Sequence, residues 1–134
     1  MIGRIDIPLL YLAAPILAVT AASAAAQEAV APSGVTMELH ETLYEEQPFS
    51  GELWTVLRVL APGIADSSAD PQEDLDWLCA EWGVAAARNA PEPPAQVVVQ
   101  VMDRIVPRGE TAPDATQFFA GYVIENDTCI WEGF

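Results

Sequence analysis

Residues 118–134 read FFAGYVIENDTCIWEGF. Five aromatic residues and one of the two cysteines fall within these seventeen positions. Chain ends are usually polar and frayed. A stretch this apolar has to be held down, so its reading decides how the rest of the chain is arranged. Gln117–Glu125 has the aromatic and β-branched content of a strand, with Asp114 and Gln117 as alternative caps for a single helical turn before it. Asn126-Asp127 is a turn signal, and Thr128 onwards makes a short last strand.

Upstream, DPQEDLDWLCAEWG (70–83) gives the one clear helix. Asp70 suits the N-cap, Pro71 the first helical position, and Glu73 completes a capping-box pattern. Leu75, Leu78, Cys79 and Trp82 recur at i, i+3, i+4 and i+7, which is one face of a helix. Asp74 and Asp76 complement the positive end of the helix dipole, and Arg88 the negative end. Gly83 is a flaw in an otherwise good helix. NAPEPP (89–94) ends it.

The remaining segments read as strands. In VTMELHETLYEE (35–46), Val35, Met37 and Leu39 alternate with Thr36, Glu38 and His40. QPFSG (47–51) is a turn. ELWTVLRVLAP (52–62) is apolar on both faces except at Thr55 and Arg58, the mark of a strand inside a sheet. AQVVVQVMDRIV (95–106) places Val97, Val99 and Val101 on one face, with Gln96, Gln100 and Arg104 on the other. Residues 107–116 form a loop. The expected order is β-β-α-β-β-β. The fold class is α+β: a small antiparallel sheet of four to five strands, with one helix packed on one face. One domain spans 35–134, preceded by a flexible lead at 27–34.

The start of the chain reads as an export signal. Arg4 supplies a basic n-region, an apolar run extends from Ile7 to about Val19, and Ala24-Ala25-Ala26 precede Gln27. Residues 1–26 are therefore expected to be a signal peptide. The competing reading is an uncleaved anchor, since the run with its alanines approaches a membrane-spanning length. Pro8, Pro15 and the small-residue site favour cleavage, with no stable membrane insertion afterwards. Export implies a periplasmic or secreted protein, in which a disulfide is permissible. Two cysteines in such a chain most simply pair with each other, so Cys79 is expected to bond Cys129. The bond would staple the last strand to the helix, with Cys129 and Trp131 both facing it. The alternative is two free buried thiols.

The sequence carries 20 Asp and Glu against 5 Lys and Arg, a net charge of −15. Such a surface repels phosphate backbones and anionic lipid, which excludes nucleic acid as a partner. It suits either simple solubility or a partner with a basic face.

Residue patterns that carry chemistry are sparse. His40 is the single histidine. Its alternation with Glu38 and Thr42 makes it an exposed strand residue rather than a catalytic base. Ser50, Ser67 and Ser68 lie in turns, outside any G-x-S-x-G elbow. Asp70, Asp74, Asp76 and Glu81 have partial calcium-loop spacing, but Leu75 stands where such a loop needs Gly. Zinc sites need His or Cys clusters, and no Gly-rich phosphate loop is present. No cofactor or metal is expected. Among the tryptophans, Trp54, Trp82 and Trp131 fit core or rim positions. Trp77 falls off the helix stripe and is the candidate exposed binding aromatic. Arg104 and Arg108 read as local ion-pair partners.

DATQFF (114–119), TCIWEGF (128–134) and the upstream DLDWLC (74–79) together resemble a family of small exported alphaproteobacterial proteins of unknown function. The resemblance covers roughly residues 35–134 and implies export and the Cys79–Cys129 pairing. It implies no activity. The sequence thus points to a small exported acidic module, binding a protein or an envelope component rather than catalysing a reaction. The rival is a small periplasmic hydrolase with two carboxylates as acid and base.

Overall fold

The strand Leu53–Leu60 is buried along nearly its whole length and on both faces. In the computed structural model of the chain, which describes Gly3 and residues 27–134, this strand lies in the interior of a six-stranded sheet. The strands are β1 (Glu28–Val30), β2 (Thr36–Glu46), β3 (Leu53–Leu60), β4 (Gln96–Met102), β5 (Gln117–Glu125) and β6 (Thr128–Gly133). Their order across the sheet follows their order in the chain. Between β3 and β4 come a 3₁₀ turn at Pro62–Asp66 and one helix, α1, at residues 71–88. The expected signal peptide at 1–26 lies outside the described residues, apart from Gly3.

The α+β class with a single helix holds, with three corrections to its detail. The sheet is mixed, because β3 and β4 run parallel, with Leu57 opposite Val99. A parallel pair needs a long crossover, and α1 supplies it. The sheet has six strands in the order β-β-β-α-β-β-β. The added strand is β1, in the segment expected to be a flexible lead: Ala29 pairs with Met37, and Ala31 is buried. The lead is also tied to the helix, since the Ser33 N–H donates to Asp74 Oδ1 at 3.0 Å and the Ser33 hydroxyl bonds the other carboxylate oxygen.

Helix α1 starts as its local sequence dictates. The Asp70 carboxylate accepts from the Gln72 N–H at 3.0 Å, and Pro71 occupies the first turn. The helix is α-helical over Pro71–Leu78, widens to a π turn over Cys79–Gly83, and is α-helical again over Val84–Arg88. Gly83 sits where the helix meets the sheet. A Cβ there would lie 3.2 Å from both Cys79 Sγ and Val97 Cγ1. The glycine permits a close approach rather than weakening the helix to no purpose.

Leu57, Val59, Val97, Val99, Val101, Ala120 and Tyr122 form the sheet's helix-side core with Leu75, Leu78 and Cys79. Each fully buried Val or Leu contributes about 1.5–3 kcal/mol. The other face is covered as well. Val56, Val98 and Met102 are buried there with Val106, which comes from the 103–116 connection. Arg58 and Gln100 sit side by side on this face, each 3% exposed.

The β5–β6 hairpin closes through Asn126 and Asp127, with φ of 50° and 60°, between the paired Glu125 and Thr128. Left-handed conformation at both central residues is the two-residue hairpin turn that Asn and Asp tolerate. In β2, the register shifts between Leu39 and Glu41, leaving exposed His40 as an extra residue. The bulge breaks the expected alternation of Glu38, His40 and Thr42. Glu38 pairs with Leu60, but Thr42 pairs with Leu57, on the opposite face.

Candidate binding surface

Cys79 and Cys129 are joined by a disulfide, with their Cα atoms 6.3 Å apart. The bond fastens the π turn of α1 to β6, the edge strand of the sheet. Trp131 does not follow Cys129 under the helix. It lies two residues further along the edge, opposite Tyr122, and is 54% exposed. Neighbouring Ile130, which pairs with Val123, is 42% exposed, and Phe134 is 67% exposed. The apolar end of the sequence is thus held by its cysteine while most of its other large side chains face solvent.

Trp77, the expected exposed aromatic, is half-buried. Its ring centroid lies 6.2 Å from that of Trp82, and both pack against the core. In a regular α-helix, residues five apart point to different sides. The π turn between them, in which the Val84 N–H donates to the Cys79 carbonyl, makes five residues span about one turn. It brings Trp82 round beneath Trp77. The exposed tryptophan of the hairpin is Trp131, and the signal that could have found it is the edge position of the last strand.

The carboxylates with calcium-loop spacing are dispersed to separate tasks. Asp70 caps α1, Asp74 is buried against Ser33, and Asp76 accepts from the Tyr122 hydroxyl at 2.6 Å and from Gln72 Nε2 at 2.7 Å. Burial, and then the Asp76 carboxylate beside it, pushes the Tyr122 phenol well above its ordinary range. The buried contacts of Asp74 and Tyr122 were not anticipated from sequence.

All four described arginines are ion-paired within the chain. Arg58 bonds Glu41, Gln100 Oε1 (3.2 Å) and the Val106 carbonyl. Arg88 reaches Asp127 at 2.7 Å, Arg104 reaches Asp103 at 3.3 Å, and Arg108 grips both oxygens of Glu45 at 2.9 Å. The last two pairs are the local ion pairs expected for Arg104 and Arg108. Hydrogen bonds from Arg108 and Arg104 hold the Glu45 and Asp103 carboxyls below their usual range. A general acid needs the opposite shift.

The cavity beside the start of α1 is lined by Met37, Ile64, Pro71, Asp74, Leu75 and Phe118 and measures about 30 Å³. That is room for about one water molecule, too little for an organic substrate.

A family model matches residues 14–134. The chain belongs to DUF6497, a family of unknown function. No curated protein and no solved structure matches the chain. Membership of DUF6497 therefore brings no assigned activity to the β5–β6 hairpin or to the acidic surface. No helix among the described residues is long and apolar enough to cross a membrane. The disulfide is compatible with a location outside the cytoplasm.

Proposed function

We propose that this chain is a small exported module that binds a protein, or an envelope component, through a basic face on its partner. The observation that carries the reading is the fate of its arginines. With 20 acidic side chains against 5 basic ones, and every described arginine already paired internally, the surface has almost only negative charge to offer. Such a field steers cationic partners in and keeps nucleic acid and anionic lipid away. Export supplies the oxidising compartment in which the Cys79–Cys129 bond persists.

The carboxylate-hydrolase reading draws no support from the carboxyl ionisation, although Glu28 and Glu38 both line a cleft of about 550 Å³ beside β1. The carboxyls with perturbed ionisation, Glu45 and Asp103, are arginine-bound and held in the charged form.

The test is capture from an envelope extract with the disulfide-bonded protein as bait, followed by competition with charged and uncharged polymers. Captured proteins should be displaced by poly-lysine, which competes for the acidic bait, and by poly-glutamate, which competes for a basic partner, and not by an uncharged polymer. Displacement by neither charged polymer, or equally by the uncharged one, would remove the charge-based reading.

A further inference from the structure

The sheet has two edges, and they differ. β1 is three residues long, a short edge that offers little to an incoming strand. β6 is six residues long, and beyond its pairing with β5 no main-chain hydrogen bond among the described residues reaches it. The two-residue turn makes Glu125 and Thr128 the closing hydrogen-bonded pair. Pairs alternate from there, so Cys129 and Trp131 stand in the non-bonded positions, and their N–H and C=O groups point away from β5. Edge strands are ordinarily blunted with lysine, proline or a covering loop. Here the side chains beside the open groups are Ile130 and Trp131, on opposite faces, both exposed. A register shift near Gly121 and Tyr122 limits the straight edge to Thr128–Trp131.

We infer that this edge is a docking strand: an extended, basic segment of a partner protein adds to β6 as a further antiparallel or parallel strand. The inference rests on the basic-partner reading above and adds the place and the mode. Charge selects the occupant. Residues 117–134 contain Glu125, Asp127 and Glu132 and no lysine or arginine. A second copy of this chain would bring the same acids and a further net −15 against them. A strand with alternating apolar and basic residues instead places apolar side chains beside Trp131 or Ile130 and cations near Glu125 and Glu132. The disulfide holds Cys129, one of the two open positions, to α1. The edge is therefore ordered before the partner arrives, which lowers the entropy cost of docking.

The test uses the full disulfide-bonded protein, ¹⁵N-labelled, and three synthetic peptides of about ten residues, enough to cover one strand. One alternates Val and Arg. The second is the same peptide with alternate backbone nitrogens methylated, which keeps its charge and removes its strand-pairing donors. The third alternates Val and Glu. The Val/Arg peptide should shift the amide resonances of Cys129 and Trp131 and slow their hydrogen exchange, and the methylated form should bind at least about tenfold more weakly. Equal, salt-sensitive binding of both basic peptides would overturn the docking strand while leaving the charge reading intact. Binding of the Val/Glu peptide as tight as that of the Val/Arg peptide would overturn the charge reading itself. Protection of Cys129 and Trp131 without peptide, with a dimer in sedimentation, would overturn the inference in favour of a second copy.

Discussion

Cys79, at the start of the π turn in α1, is bonded to Cys129 in the edge strand β6, fifty residues away in sequence. The bond joins the crossover helix to the strand farthest from β1 across the sheet. Closing a loop of this length stabilises a fold by about 4 kcal/mol in the chain-entropy model. Replacing either cysteine with Ser should lower the unfolding free energy by about 2–5 kcal/mol in denaturant titration. Hydrogen exchange should quicken first in 128–133. Uniform loosening of every strand would show that the bond does not act on β6 in particular.

Gly83 makes the helix–sheet contact possible. Gly→Ala in a helix normally gains about 1 kcal/mol. Here the added methyl would crowd Cys79 Sγ and Val97 Cγ1, both fully buried, with Leu57 Cδ1 at 3.5 Å. Overpacking costs about 1–3 kcal/mol. Gly83→Ala should therefore be net destabilising by about 1 kcal/mol, measured by thermal or denaturant unfolding. A stabilised variant would mean that α1 can move off the sheet freely.

Arg58 is the one buried cation among the described residues, and Gln100 and the Val106 carbonyl depend on it. Arg58→Leu should cost about 3 kcal/mol, because it strands buried acceptors. Arg58→Lys should recover only part of that, since an ammonium cannot span Glu41, Gln100 and Val106 together. Denaturant titration of the two variants distinguishes the geometric requirement from the charge alone.

Stability should respond to pH at both ends. The Glu45 carboxyl is depressed by Arg108, so its contribution is present above the ordinary carboxylate range and is lost as pH falls through its lowered folded value. The pair is partly exposed, so the effect is at most about 1 kcal/mol, and Glu45→Gln should flatten it. Tyr122 is raised by burial and by Asp76. Its contribution is complete below the unfolded phenol's value near about 10 and is lost as pH rises above it. Tyr122→Phe should remove that alkaline loss, at the cost of about 1 kcal/mol at neutral pH for the bond to Asp76. Parallel melting curves across the pH range check both.

The amino terminus of the exported protein should lie at or near Gln27. Mass spectrometry of the periplasmic or secreted fraction reads it directly. An intact Met1 in the membrane fraction would contradict the signal-peptide reading.

Local rules carried the sequence reading as far as they reach. Asp70 and Pro71 mark the start of α1, and the strand Gln117–Glu125 is bounded as its composition indicates, because caps and turns depend on neighbouring residues. The disulfide was legible for a different reason: with two cysteines in the sequence each has a single possible partner within the chain, whatever their separation. The parallel pairing of β3 and β4 was not legible: Val97, Val99 and Val101 alternate identically whichever way the neighbouring strand runs. The Ser33–Asp74 contact spans 41 residues and leaves no local trace. Trp77 is half-buried and Trp131 exposed for one reason each. A π turn folded Trp82 beneath Trp77, and β6 is an edge strand tied to the helix at Cys129, with Trp131 lying beyond that tie.

The central claim is that binding is driven by the chain's uncompensated negative charge. The most direct measurement is the association rate constant with a purified captured partner as ionic strength rises. Exposed charges are screened beyond about 8 Å at physiological salt. The rate constant should fall by about tenfold or more between low and high salt, with the dissociation rate much less affected. An association rate that stays flat across that range would contradict the account.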